Sequence, residues 1–105
     1  MTRDMVTVRR GSLYLDRATC DRYFAGLETI ILIADGPDLV ILPVRHAAAG
    51  GYLLKRRNAA GDRVVNAGDF FRSHCVGDDD VVETQASWST EKGGLIATNA
   101  LALQS

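Results

Sequence analysis

The chain has 105 residues, of which 47% are apolar and 24% charged, and its formal net charge is −1. This length and composition predict one folded domain over residues 1–105 and exclude intrinsic disorder, which requires low hydrophobicity and high net charge. The apolar runs 29–34 and 39–44 are far shorter than the ~20 residues of a membrane helix, so we expect no membrane contact. The first residues do not resemble a signal peptide, so we expect a cytoplasmic protein.

Two short strands and a helix are predicted at the start of the chain. Apolar residues alternate with polar ones over residues 5–9 and 12–15, which is typical of strands that bury one face. Asp16 is a favourable N-cap, so a helix is predicted over residues 17–24, with Gly26 at its end because glycine readily adopts a left-handed conformation.

The clearest local pattern is a hairpin. Residues 29–34 and 39–44 are dense in Ile, Leu and Val, and the segment between them, Asp-Gly-Pro-Asp, is a strong turn signal. Because the apolar residues lie on both faces of each strand, we expect both faces to be covered, with Ile31 and Val40 shielded from water. A second sheet layer, a helix or another subunit would provide the cover.

The Gly/Ala-rich loop around residues 46–51 is the best candidate for an internal boundary, and it would join two sub-halves, 1–46 and 51–105. The second sub-half contains further strand and helix patterns. These predict a hairpin of 52–57 with 62–66, a helix over 67–75, a strand over 81–89 and a last strand over 95–103, with a helix over 97–103 as the alternative.

These segments predict a mainly β fold, with α+β as the marginal alternative. About eight short strands and two short helices would form a small β-barrel or sandwich.

No catalytic, cofactor-binding or metal site is predicted. The two histidines, His46 and His74, are not spaced as zinc ligands with Cys20 or Cys75, and no phosphate-binding glycine motif or nucleophile elbow is present. The run of three aspartates at 78–80 lacks the alternating ligands of a calcium loop. We predict a protein that is not an enzyme. A small enzyme, in which both histidines and Cys75 converge with a carboxylate, is the least favoured alternative.

Charge and two side chains suggest how the protein could meet a partner. Residues 1–57 hold nine basic and six acidic residues, a charge of +3, whereas residues 58–105 hold three basic and seven acidic residues, a charge of −4. Such asymmetry can steer partners or align subunits. Trp88 lies in a polar strand and His46 in a flexible loop, so both are candidate contacts for a protein partner.

The order of elements over residues 5–44 resembles the swapped-hairpin module of AbrB-like transition-state regulators, MazE-type antitoxins and MraZ proteins. Its carriers are the segment Val-Thr-Val-Arg-Arg-Gly-Ser-Leu-Tyr-Leu at 6–15, the short helix and the hairpin. The resemblance implies an intertwined homodimer in which each hairpin completes its partner's sheet. It also implies that basic residues contact DNA.

The function predicted is therefore binding of a macromolecule without catalysis. The favoured form is a small oligomeric interaction or accessory protein, with a dimer and a protein partner expected. The alternative is an AbrB-like DNA-binding transcriptional regulator or antitoxin. In that alternative the candidate contacts to nucleic acid, or to another acidic partner, are Arg9, Arg10, Arg17 and Arg22.

Overall fold

The computed structural model describes residues 4–44, 51–77 and 79–101, which form nine strands and two short helices. All nine strands lie in one antiparallel sheet. The strands are β1 Asp4–Arg9, β2 Ser12–Leu15, β3 Thr29–Asp35, β4 Asp38–Val44, β5 Tyr52–Leu53, β6 Lys55–Arg56, β7 Arg63–Asn66, β8 Val81–Ser89 and β9 Gly94–Ala97; the helices are α1 Arg17–Tyr23 and α2 Gly68–Ser73.

The sheet curls into a nearly closed barrel, so the predicted mainly β fold is confirmed. Its strand order is β5-β3-β4-β9-β8-β1-β2-β7-β6, which leaves β5 and β6 at the two edges. These edge strands are consecutive in the chain and are joined by Leu54, which is 4% exposed and whose N–H donates to the carbonyl oxygen of Glu28 at 2.8 Å. One short segment therefore pairs with β3 through β5 and with β7 through β6, and this connects the two edges.

The inward-facing side chains of the strands fill the barrel. Alternation over β1 and β2 is confirmed, because every second residue is buried there. Phe24, which follows α1, and Phe71 of α2 supply the two largest fully buried side chains. Strands from both predicted sub-halves contribute to this core, since β4 of the first pairs with β9 of the second.

The β3–β4 hairpin forms as predicted, with Gly36 in the turn at a φ of 61°. Its inward side chains, such as Ile30, are buried in the core. On the outward face the expected cover is incomplete. Val40 is buried, but Ile31 is only half-buried and Ile33 is 43% exposed.

The N-cap of α1 is Asp16, as the sequence predicted. The Asp16 carboxylate accepts a hydrogen bond from the Thr19 N–H at 2.8 Å, which is the arrangement expected of an N-cap. The helix ends at Tyr23, one residue before the predicted end, and Gly26 follows with a φ of 76°.

The last predicted strand is shorter than expected. β9 ends at Ala97, and the described residues after it form turns rather than a strand or helix. The cause is a set of contacts to other elements: Asn99 takes a φ of 56° and donates its N–H to the Asp38 carboxylate at 2.8 Å, and the Leu101 N–H donates to the Pro37 carbonyl oxygen.

Among the described residues, no helix is long and apolar enough to cross a membrane.

Candidate anion-binding surfaces

Basic side chains gather around Tyr14 on the outward face of β1, β2, β7 and β6. The guanidinium carbons of Arg9 and Arg57 lie 5.0 Å and 4.8 Å from the centroid of the Tyr14 ring, within cation–π range. Cross-strand pairing places Val64 beside Tyr14 and Lys55 beside Val64, so the Lys55 side chain lies in the same row. We call this set the arginine–tyrosine face: Arg9, Tyr14, Lys55 and Arg57.

The arginine–tyrosine face keeps its positive charge. Within the described residues, no carboxylate oxygen lies within 4.0 Å of the Arg9, Lys55 or Arg57 charged nitrogens. The nearby Asp62 carboxylate accepts hydrogen bonds from the Asn58 side chain and from the Arg17 N–H, and these lower the pKa of Asp62. The charge of Arg57 lowers the pKa of Asp62 further, but the two side chains do not reach ion-pair distance.

A second basic site lies on the other side of the β6–β7 hairpin. Strand alternation turns Arg56 and Arg63 away from the arginine–tyrosine face, and together with Arg17 of α1 they line a cavity of about 510 Å³. We call it the arginine cavity; its lining residues are Arg17, Asp21, Arg56, Ala59, Ala60, Gly61 and Arg63.

Two of the three cavity arginines already have one contact each. Arg17 Nε lies 3.4 Å from an Asp21 carboxylate oxygen, and Arg63 Nη1 donates to the Leu54 carbonyl oxygen at 3.3 Å. The Arg56 side chain makes no hydrogen bond or ion pair with any described residue. Most of the guanidinium N–H groups are therefore available to a ligand.

The four arginines predicted as contacts do not form one surface. Arg9 belongs to the arginine–tyrosine face and Arg17 to the arginine cavity. Arg10 is exposed in the β1–β2 turn. Arg22 donates a hydrogen bond to the buried Asp4 carboxylate, and this contact raises the pKa of the Arg22 guanidinium. The negative charge of Asp4 balances the positive charge of Arg22.

Trp88 is part of an aromatic stack at the Asp4 end of the barrel. It is 37% exposed, and its ring is parallel to Tyr23 at 5.2 Å between centroids. The Tyr23 hydroxyl donates to the Asp4 carboxylate at 2.9 Å, which holds the stack in place. One face of the Trp88 ring is therefore occupied within the chain. His46, the other predicted partner contact, lies outside the described residues.

The remaining histidine and the cysteines show separate environments. His74 Nδ1–H donates to the Phe70 carbonyl oxygen at 2.9 Å, and its ring packs against the Phe70 ring. Cys75 is exposed, whereas Cys20 is buried. Among residues 4–44, 51–77 and 79–101, no group of three or more His, Cys, Asp or Glu side chains is placed to hold a metal ion.

Sequence reasoning missed four basic residues of these surfaces. Lys55, Arg56 and Arg57 form a run of three adjacent bases, and this run was the available signal. Arg63 carried no such signal, because its position beside Arg56 depends on the pairing of β6 with β7.

Comparisons of the chain with protein-family models, with curated proteins and with solved structures each find no match.

Proposed function

We propose that this chain is a non-enzymatic protein that binds the phosphate backbone of nucleic acid through the arginine–tyrosine face. The observation that supports this is the placement of Arg9 and Arg57 at one ring, Tyr14, with no carboxylate at ion-pair distance within the described residues. The AbrB-like resemblance of residues 5–44 points the same way, because it implies basic residues that contact DNA.

The geometry suits a polyanion better than a single small anion. Arg9 is on β1 and Lys55 is on β6, three strands away across the outward face. Neighbouring strands are ~4.8 Å apart, so the charges span ~14 Å. The phosphates along one DNA strand are several ångströms apart, and a row of basic side chains of this length can contact two or three of them.

The expected salt dependence follows from the number of charges. Three phosphate contacts, one each for Arg9, Lys55 and Arg57, give a slope of log affinity against log salt of about −2.7 for duplex DNA. The affinity would then fall about 40-fold between 50 and 200 mM salt. Each contact removed would bring the slope about 0.9 closer to zero.

The test is fluorescence anisotropy with a labelled DNA duplex at several salt concentrations. The variants Arg9→Gln, Lys55→Gln and Arg57→Gln are measured singly and together against the unchanged chain. We expect each single variant to weaken binding and reduce the slope, and the triple variant to abolish salt-sensitive binding. Labelled single-stranded DNA and RNA in the same titration would show which nucleic acid is preferred.

Lys92→Gln is the matched control. Lys92 follows β8, and its Nζ lies 2.7 Å from the Asp35 carboxylate. Arg9 pairs with Val81 at the opposite end of β8, about 26 Å away at the usual rise per residue. Equal losses in Lys92→Gln and Arg57→Gln would attribute binding to net charge alone and overturn the assignment of this face. Absence of salt-sensitive binding in the unchanged chain would overturn the proposal that the protein binds nucleic acid.

A protein–protein interaction function is the second candidate, and exposed aliphatic side chains favour it. Ile33 is 43% and Leu53 is 58% exposed on the outward face of neighbouring strands β3 and β5. An uncharged aliphatic face is complementary to itself, as a two-fold symmetric contact requires, so we propose a second copy of this chain as its occupant. Sedimentation equilibrium would detect the dimer, and a monomer at all accessible concentrations would remove this candidate.

A further inference from the structure

We propose that the arginine cavity is a binding site for a phosphomonoester, separate from the surface proposed for nucleic acid. The cavity lies between α1 and the β6–β7 hairpin, and three guanidinium groups, those of Arg17, Arg56 and Arg63, line it. Only one lining residue, Asp21, is acidic, so the lining carries a formal charge of +2.

The strongest indication of a ligand is a pair of like charges. Arg56 and Arg63 are directly opposite each other in the β6–β7 ladder, where side chains of neighbouring strands start about 5 Å apart. Like charges in this position destabilise a sheet. No carboxylate within the described residues lies at ion-pair distance from either guanidinium. A dianion between them would remove this repulsion.

The donor groups match phosphate chemistry. Each guanidinium has five N–H donors in a planar fork, which binds two phosphate oxygens at once. Arg56 has all of its donors unused by described residues, and Arg63 uses Nη1 for the Leu54 carbonyl. The two side chains can thus supply several charge-assisted hydrogen bonds to a doubly charged phosphate.

The size and lining of the cavity indicate an ester rather than phosphate alone. At about 510 Å³ the cavity lies within the usual range for small-molecule sites. Ala59, Ala60 and Gly61 form its small-residue wall and leave room for an organic group beside the phosphate. None of the lining side chains is aromatic, so recognition would depend on the phosphate and not on ring stacking.

Isothermal titration calorimetry tests the proposal with two probes, inorganic phosphate and phenyl phosphate, with phenol as the uncharged counterpart. We expect saturable binding of phenyl phosphate at a stoichiometry of one, and none of phenol. Arg56→Gln and Arg63→Gln are expected to weaken binding by about tenfold or more, because each removes hydrogen bonds to a charged group. Lys92→Gln, at the Asp35 ion pair and outside both basic surfaces, is the control and should bind as the unchanged chain does.

The stability of the ligand-free Arg56→Gln variant provides a second readout. If Arg56 faces Arg63 without a compensating anion, its replacement relieves repulsion, so the melting temperature in phosphate-free buffer should stay equal or rise. A clear fall would give Arg56 a structural role and overturn the proposal. Absence of saturable binding, binding of inorganic phosphate but not of the ester, or an equal loss in Lys92→Gln would also overturn it.

A further pair of ligands separates this site from the nucleic-acid surface. A DNA strand with a 5′-phosphate and the same strand with a 5′-hydroxyl are compared in the Arg9, Lys55 and Arg57 triple Gln variant. Retained binding of phenyl phosphate by this variant supports the cavity even if DNA binding is lost, so the two proposals can fail independently. Preference for the 5′-phosphate would identify a strand terminus as one source of the monoester, and equal binding of both strands would assign the site to free monoesters.

Discussion

The buried thiol of Cys20 should make the protein less stable at alkaline pH. Cys20 is 5% exposed, and burial raises its pKa from 9.0 to about 11, an effect that the nearby Arg63 charge only partly opposes. In the unfolded chain the thiol loses its proton near pH 9, whereas in the folded chain it stays protonated until near pH 11. The stabilising contribution is therefore complete below pH 9 and is lost as the pH rises towards 11.

The magnitude follows from the two pKa values. The free energy of unfolding should fall by about 1 kcal/mol at pH 10 and by about 2 kcal/mol at pH 11, relative to pH 8, from this group alone. Other groups also titrate in this range, so the measurement is a difference between variants. Cys20→Ala removes the titrating thiol, and Cys75→Ser removes the exposed thiol as the matched control.

Urea unfolding monitored by Trp88 fluorescence at pH 8, 9 and 10 provides the free energies. Trp88 is the single tryptophan and stacks on Tyr23, so its emission should report loss of the fold. We expect Cys20→Ala to be less stable than the unchanged chain at pH 8 and to lose less stability as the pH rises, while Cys75→Ser follows the unchanged chain. Parallel decline of all three proteins between pH 8 and 10 would refute the argument that burial holds the Cys20 thiol protonated.

Two further predictions concern close packing in the barrel. A Cβ at Gly94 would lie 2.7 Å from Leu42 Cδ2 and 2.8 Å from the Ile41 carbonyl oxygen, so Gly94→Ala should lower the free energy of unfolding by about 1–3 kcal/mol. Gly77→Ala is the control, because a Cβ at Gly77 would lie 3.5 Å from its nearest neighbour. In the same urea titration it should change the free energy of unfolding by less than about 0.5 kcal/mol. Leu54→Ala removes the buried side chain between β5 and β6 and should cost about 2–4 kcal/mol. Hydrogen exchange should then show weaker protection at the Leu53 and Arg56 amides than in the core strand β1, and uniform protection would contradict the role of Leu54 in connecting the barrel edges.

The candidate site could be predicted only in part from the sequence. Arg9 and Arg17 were among the basic residues predicted as nucleic-acid contacts in the AbrB-like alternative, and each lies on a basic surface. The neutralisation of Arg22 by Asp4 could not be predicted, because 18 residues separate them and only the packing of α1 against β1 brings them together. The same holds for Arg57, which reaches Tyr14 through the pairing of β2, β7 and β6.

The sequence by itself determined the local elements of this protein. Alternating apolar residues predicted β1, β2 and β8, the Asp-Gly-Pro-Asp turn predicted the β3–β4 hairpin, and Asp16 predicted the start of α1, because each signal acts within a few residues of the chain. Only the tertiary structure decided that residues 52–57, predicted as one strand of a hairpin, divide at Leu54 into a strand that pairs with β3 and a strand that pairs with β7. Closure of a barrel depends on strands far apart in the chain meeting at a common core, and no local pattern encodes which of them become neighbours.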